Sequence, residues 1–325
     1  MILLTGSSGY LGSRIAHALV ARGEAFRVLV RNPDKLGLVP AEARCEILTG
    51  DLCDRDAVAK ALRGATRVIH SAALVKMWVR ERQDFWRVNI DGLKSLLEAA
   101  DRAGVERVVY TSSFMAAGPS SDSNAGEGLR NHGPYSNEYE ETKARALDWL
   151  RAEGFARYPV VALLPGVVYG PGPSTDGNLV GSMMRQYLSG KFPGLLGSGE
   201  QRWSFSYMAE VVQAHLAALE KGRAGQEYFL AGDNRSLNDL FSVIARLAGV
   251  TSPVRHLPFA IGKAVGLLEV ARARLFNHRP QLTPGVVEIF KHDWVYSSEK
   301  AACELGYRVV PLEEGIQKTL EAGIG

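Results

Sequence analysis

The first twelve residues, Met1-Ile-Leu-Leu-Thr-Gly6-Ser-Ser-Gly9-Tyr-Leu-Gly12, constrain the fold more than any other stretch. The apolar run from Met1 to Leu4 reads as a buried strand. Three glycines follow in the pattern Gly-x-x-Gly-x-x-Gly, and Ser13 to Ala21 then reads as a helix. Glycines in a turn say little by themselves; between a strand and a helix each has a physical task. Gly6 permits the tight turn, Gly9 lets the backbone approach a pyrophosphate, and Gly12 lets helix and strand pack closely. The diphosphate of a dinucleotide would rest on the open N–H groups of the helix N-terminus. Thr5, Ser8, Tyr10 and Leu11 belong to the same candidate cofactor turn.

The rest of the first half alternates short apolar runs with helical patterns, the order of a parallel α/β sheet. The second strand, Ala25 to Val30, ends at Arg31. At a position about 20 residues past the glycines, an acid would hold the ribose 2′-hydroxyl of NAD, whereas an arginine accommodates the 2′-phosphate of NADP. Arg31, with Lys35 behind it, tilts the expectation to NADP(H), NAD(H) being the alternative. After the strand Cys45 to Leu48, Asp51 either reaches the adenine end or caps the helix 54–63, and Leu52 lies beside it. Val68 to Ala73 is a further strand and its exit, where the small residues Ser71, Ala72 and Ala73 permit close cofactor approach. His70 reads equally as a satisfied structural histidine and as a ligand. Trp78 belongs to an aromatic stretch suited to a pocket wall. Asn89 reads as the N-cap of a helix over 89–103.

Arg107 to Ser113 is a strand ending in hydroxyls. Gly118 to Pro134, rich in Gly, Ser, Asn and Pro, reads as a mobile loop. Then Tyr139-Glu-Glu-Thr-Lys143 falls within a helix spanning 135–153. Residues four apart share a helix face, so Tyr139 and Lys143 point together toward whatever Ser113 faces. A phenol titrates near 10, and a nearby lysine cation lowers that by roughly 1–3, toward the range that acid–base work prefers. Ser113 would orient a substrate oxygen against Tyr139, and a nicotinamide would exchange the hydride.

Together these motifs resemble the extended short-chain dehydrogenase/reductase superfamily over nearly the whole chain. The residues that carry the resemblance are Thr5-Gly6-x-x-Gly9-x-x-Gly12, His70-Ser-Ala-Ala73, Thr111-Ser112-Ser113, Tyr139-x-x-x-Lys143 and Pro165-Gly166-x-x-Tyr169-Gly170-Pro171. Val28-Leu-Val-Arg31-Asn-Pro33 looks like the dihydroflavonol 4-reductase branch, whose members use NADPH. By that resemblance Ser113, Tyr139 and Lys143 form the catalytic triad, and Tyr139 and Lys143 also touch the cofactor. Asn89 matches the family's helix-opening asparagine, and Pro165, Gly166 and Val168 sit against the nicotinamide. Ser113 is preferred to Ser112 because it stands five before Gly118, as in related epimerases. Phe114, Met115 and Tyr169 join Trp78 as candidate substrate-pocket residues.

The implied fold is α/β: a Rossmann-type doubly wound parallel sheet with a smaller, mostly helical C-terminal substrate lobe. Residues 1–170, rejoined by 203–233, form the NADP-binding domain; 171–202 and 234–325 form the lobe. Ala209-Glu210 departs from the two acids common at that point of the superfamily. Arg202 reads as a surface arginine in preference to a nucleotide-sugar phosphate ligand. The strongly apolar helix Phe259 to Phe276, ending in Arg272, Arg274 and Arg279, reads as a lid over an apolar pocket in preference to a membrane-surface helix.

The implied activity is NADPH-dependent reduction of a ketone, with a small-molecule carbonyl substrate that has a bulky aromatic or polycyclic body. Two alternatives stand beside it, a NAD-dependent nucleotide-sugar epimerase or dehydratase and a non-catalytic NADP-sensing regulator. The first would favour an acid where Arg31 stands, and sugar dehydratases follow the catalytic hydroxyl with Asp-Glu where this chain has Phe114-Met115. The second typically loses the Tyr or Lys. A net charge of +3 gives no reason to expect a nucleic-acid partner, and membrane contact is not expected. Cys45, Cys53 and Cys303 have no metal or disulfide spacing and read as reduced thiols, and no metal is expected. With the first core strand starting at Met1, a cytoplasmic monomer or homodimer is the expectation.

Overall fold

The computed structural model describes residues 1–36, 44–173, 175–250, 254–276 and 278–323. Within the expected turn Gly170 to Gly177, Ser174 lies outside the described residues, as do Ile324 and Gly325 at the end of the expected lobe. The described residues form twelve strands: β1 Ile2–Thr5, β2 Phe26–Val30, β3 Cys45–Thr49, β4 Arg67–His70, β5 Arg107–Thr111, β6 Val160–Pro165, β7 Val167–Tyr169, β8 Leu195–Leu196, β9 Arg202–Tyr207, β10 Glu227–Leu230, β11 Asp233–Ser236 and β12 His256–Leu257. Seven of them make a wholly parallel sheet in the order β10-β6-β5-β4-β1-β2-β3.

That order places β1 at the point where the winding reverses, with β2 on one side and β4 on the other. In open α/β sheets ligands bind outside the carboxyl ends of the strands at such a point. The glycine turn after β1 sits there. Both faces of the sheet are covered, which is why its inner strands are continuous apolar runs. On one face Val58, Leu93, Leu96, Leu97 and Leu147 pack from the helices Arg55–Leu62, Gly92–Arg102 and Glu138–Trp149. On the other, Ile15, Leu19, Val211 and Leu216 pack from Tyr10–Ala21 and Met208–Lys221.

The second half crosses between these layers. β10 returns to the edge of the large sheet, as its sequence suggests, whereas β9 joins β7 and β11 in a separate three-stranded sheet. Among the described residues of 171–202 and 234–298 the regular structure is mainly helical, in Leu179–Leu188, Leu237–Ala248, Phe259–Phe276 and Pro284–Ile289. The helix Glu299–Leu305 does not stay with them. Ala301, Leu305 and Tyr307 pack into the hydrophobic layer beneath the large sheet.

The segment 118–134, expected to be mobile, is pinned along its length. The Gly128 N–H donates to Glu227 at 2.7 Å, and Glu127 accepts from the Phe229 N–H at 2.9 Å. Asn131 Nδ2 donates to the Met115 carbonyl and to the buried carboxylate of Glu140. Its composition describes a chain without regular structure; its side chains tie that chain down.

Candidate active site

Every candidate cofactor residue of the first half lies at the carboxyl edge of the sheet: Gly6 after β1, Arg31 after β2, Asp51 after β3, Ser71 after β4. The glycine turn is close-packed. Gly6 has φ +80°, and a Cβ there would stand 2.6 Å from the Ala72 nitrogen. A Cβ on Gly12 would stand 2.1 Å from the Gly6 carbonyl oxygen, so the helix can approach the strand only without one. Gly9 differs, since a Cβ there would meet only the Gly6 oxygen, at 3.2 Å. Gly9 is exposed and caps the helix Tyr10–Ala21 with no side-chain hydrogen bond to the first turn. The buried Ser7 hydroxyl has no partner among the described residues. A bare turn, an uncapped helix start and an orphaned hydroxyl fit the diphosphate of a dinucleotide.

The other cofactor candidates separate into two groups. Arg31 and Lys35 are exposed at the end of β2, where Asn32 caps a short 3₁₀ turn over Pro33–Lys35. Asp51 does not cap the next helix; Asp54 does, accepting from the Asp56 and Ala57 N–H groups. Asp51 instead accepts from the Cys53 N–H at 2.8 Å, while Leu52 is buried against Gly92. Ser8 is exposed and Leu11 half-buried in the turn. The Tyr10 side chain turns away, its hydroxyl donating to the Gly170 carbonyl at 2.8 Å. Thr5 accepts from the Ala72 N–H at 3.4 Å, and Ala73 is half-buried next to it. Pro165 ends β6, and Gly166 is required there because a Cβ would meet the Ser204 oxygen at 2.5 Å; Val168 follows half-buried in β7.

β5 delivers the hydroxyls. Ser113 caps the 3₁₀ turn Phe114–Ala116, accepting from the Met115 N–H at 3.2 Å. Burial pushes the Tyr139 phenol up to about 12, while the Ser113 hydroxyl pulls in the opposite direction. The Ser112 hydroxyl is buried without a hydrogen-bond partner among the described residues, and burial raises the neighbouring Tyr110 phenol. Ser113 is therefore the hydroxyl that the fold brings to Tyr139.

Lys143 is buried, and burial lowers its ammonium to about 7. Its hydrogen bonds go to the Thr111 carbonyl at 2.9 Å and the Tyr110 hydroxyl at 3.3 Å. The expected depression of the Tyr139 phenol is thus absent in this state: burial dominates it, and Lys143 is engaged on β5. A row of buried side chains lies beside it. In cross-strand register Thr5 pairs with His70, and His70 with Tyr110. His70 Nδ1 meets the Thr5 hydroxyl at 2.7 Å and its ring stacks on Tyr110. Burial, and then the Lys143 charge, lower His70 to about 3, so it is a neutral structural histidine.

Asn89 is not an N-cap. The helix starts upstream at Gln83, and Asn89 lies inside a π turn over Arg87–Asp91 that leads into Gly92–Arg102. Its side-chain oxygen accepts from the Leu74 N–H at 2.8 Å, and its nitrogen donates to the Thr142 hydroxyl at 3.1 Å. It joins the loop after β4 to the helix that carries Tyr139 and Lys143. Trp78 is half-buried in that loop, and Asn137 Nδ2 reaches the sulfur of its neighbour Met77 at 3.8 Å.

Phe114 is half-buried and meets Trp294 edge-on at 5.3 Å, while Met115 is buried. Tyr169 is not brought to this group. It is fully buried, packed on Phe205, Tyr207 and Gly315 in the three-stranded layer. Arg202 is taken up by the Ser121 carbonyl, at 2.9 Å, and by Asp293.

Tyr110, Thr142, Glu140 and His215 have no role in the sequence reading, and Thr111 has only its place in the motif Thr111-Ser112-Ser113. His215 Nε2 lies 2.9 Å from the Thr111 hydroxyl, with Nδ1 on the Val211 carbonyl, and burial lowers it to about 4. Tyr110 and Thr111 had one usable signal: they end the strand that leads to Ser113. His215 and Thr142 had none, because the partners that tie them to the site, Thr111 and Asn89, are distant in sequence.

A parallel sheet with a bare glycine turn at its reversal point, and a buried Ser-Tyr-Lys group beside it, is the architecture of a nicotinamide-nucleotide-dependent oxidoreductase. The chain belongs to the NAD dependent epimerase/dehydratase family, which it matches over residues 2–231, and so to the extended short-chain dehydrogenases/reductases. It is 31% identical to the sterol demethylase protein B of Methylococcus capsulatus, over 87% of this chain and 84% of that protein. It is 29% identical to the 3beta-hydroxysteroid-dehydrogenase/decarboxylase isoform 1 of Arabidopsis thaliana, over 98% of this chain and 79% of that one. The crystal structure of gox2253 superposes with a TM-score of 0.79 at 31% identity, covering 99% of this chain and 97% of its own.

Proposed function

We propose that the protein transfers hydride between NADP(H) and a secondary alcohol or ketone on a bulky, polycyclic substrate, with reduction of the ketone as the reaction to test first. The observation that carries this reading is the meeting of Ser113 and Tyr139 at the carboxyl edge of β5, with Lys143 one helical turn along. The nicotinamide supplies or accepts the hydride when bound. The turn from Gly6 to Gly12, open at Gly9, would hold the diphosphate, and Arg31 would take the 2′-phosphate. Ser113 donates a hydrogen bond to the carbonyl oxygen and holds it against Tyr139.

The phenol that burial keeps protonated is the proton donor to that oxygen. Lys143 stabilises the phenolate left behind, moving from the Thr111 carbonyl to do so, and holds ribose. Asn89 positions the helix without touching the reacting atoms. The two sterol-related proteins above support a polycyclic body for the substrate, and Phe114, Met115 and Trp78 offer it apolar contact.

The test is to mix purified protein and NADPH or NADH with steroid ketones, and NADP or NAD with the matching alcohols, following nicotinamide absorbance. Turnover with NADPH that Tyr139→Phe abolishes supports the reading. Turnover of nucleotide sugars alone would replace it with the epimerase reading.

A further inference from the structure

The helix Phe259–Phe276 is packed inside out. Its buried positions are Gly262, Gly266 and Ala273, which are small. Gly262 lies on Leu196 and Val287, and Gly266 lies on the Thr283–Pro284 backbone, where a Cβ would stand 2.9 Å away. The large side chains face out. Ile261 is 52% exposed, Leu268 60% and Leu275 77%. At 100° per residue, Ile261, Ala264, Leu267, Leu268, Ala271 and Leu275 share one outward face, and all are exposed. An ordinary surface helix has the opposite arrangement, apolar inward and polar outward.

Charge frames this face. Lys263 and Arg274 flank it on one side and Arg272, paired with Glu269 at 3.7 Å, on the other, all exposed. The helix's one carboxylate, Glu269, is turned inward, mostly buried, and accepts from the Gln281 N–H. A second copy of the chain is a poor cover. Two-fold pairing sets a surface against itself, which would bring the same cations together at the rim. Long basic side chains beside an apolar stripe are what a helix needs to lie in a bilayer interface, with stems in the apolar zone and charges at the headgroups.

We propose that this face docks on the surface of an anionic phospholipid bilayer, the helix lying in the headgroup plane. No helix among the described residues is long and apolar enough to cross a membrane, and docking requires none. The position of the helix gives the docking a use. Gly266 rests on Pro284, and the adjoining Gly285 abuts the Ser136 carbonyl beside Asn137, which caps the helix bearing Tyr139. The segment joining the docked helix to the candidate site is therefore a few residues long. An apolar compound dissolved in the bilayer would meet the protein on the side nearest that site.

Co-sedimentation of the full-length protein with vesicles tests this and needs no substrate. Phosphatidylcholine vesicles containing phosphatidylglycerol should pull the protein down, pure phosphatidylcholine much less, and added salt should release it. Changing Lys263 and Arg274 to Gln should weaken binding about fivefold for each cation removed. Leu268→Glu with Leu275→Glu should abolish it while leaving the circular dichroism spectrum unchanged, since both side chains are exposed. Absence of co-sedimentation would overturn the proposal. So would concentration-dependent dimerisation, without vesicle binding, that the leucine variant removes. Binding unaffected by either variant would place the contact elsewhere and overturn it too.

Discussion

The ammonium of Lys143 donates to the carbonyl of Thr111 at 2.9 Å, from helix to strand, inside the protein. A cation held in so buried a place loses hydration that one carbonyl and one phenol only partly replace. This accounts for an ammonium lowered to about 7. An unfolded chain keeps this proton to its ordinary value near 10.5, whereas the folded protein releases it near 7. The unfolded state thus binds more protons between those values, and stability rises with pH through that window. Denaturant midpoints measured from pH 7 to pH 9 should climb, by at most about 1.4 kcal/mol per pH unit. In Lys143→Met that climb should disappear. An equal slope in the variant would refute this account of the lysine.

Tyr139→Phe removes one oxygen from a packed ring and leaves the ring in place. Activity should fall by roughly 10²–10⁴-fold, while nucleotide binding followed by fluorescence stays near the parent value. Ser113→Ala should act in the same direction and Ser112→Ala much less, because it is Ser113 that influences Tyr139. Equal losses for the two serines would contradict the assignment.

Gly9 and Gly12 should separate cofactor binding from folding. A methyl at Gly12 would stand 2.1 Å from backbone, so Gly12→Ala should destabilise the protein by about 1–3 kcal/mol or more. At Gly9 the nearest contact would be 3.2 Å, so Gly9→Ala should cost far less stability than Gly12→Ala and lose nucleotide affinity. Calorimetry beside nucleotide titration measures both. Retained affinity in Gly9→Ala would remove the diphosphate from this turn.

Arg31→Asp should reverse the preference between NADPH and NADH. The arginine side chain is exposed at the end of β2, so the change should leave folding intact. Paired titrations should show NADPH weakened by about tenfold or more, as expected for the loss of one charge-assisted phosphate contact worth some 1.5–3 kcal/mol, with NADH less affected. Unchanged selectivity would take the 2′-phosphate away from Arg31.

Asn89→Ala should cost about 1–3 kcal/mol, since it leaves the Leu74 N–H without its acceptor and the Thr142 hydroxyl without a donor. Loss of stability together with a higher KM would identify Asn89 as a positioning residue. A loss of kcat with unchanged stability would argue that it touches the reacting atoms.

The parts of this fold that sequence made legible are those governed by local periodicity. The strand-glycine-helix start needs only neighbouring residues, and Tyr139 and Lys143 share a face because the helix period requires it. Asn89 was misread because an asparagine before an apolar pattern looks like a cap, while the helix in fact begins several residues earlier and passes through a π turn. Tyr169 reads as a substrate-pocket residue through the family motif Pro165-Gly166-x-x-Tyr169 that contains it. Its strand belongs to a second, smaller sheet with its own interior, and nothing local marks that change of sheet. The engagement of Lys143 by Thr111 depends on how deep the helix sits on β5, a tertiary quantity that spacing does not encode.

The loop 118–134 has a further effect through its grip on β10. This strand is the outer member of the large sheet, and an outer strand offers unpaired N–H and C=O groups to any passing chain. Here Glu127 occupies the Phe229 N–H, and Lys300 occupies the Glu227 carbonyl at 2.8 Å. The rim that would template intermolecular strand pairing is quenched by side chains, so the protein gains resistance to aggregation from a stretch that forms almost no regular structure of its own.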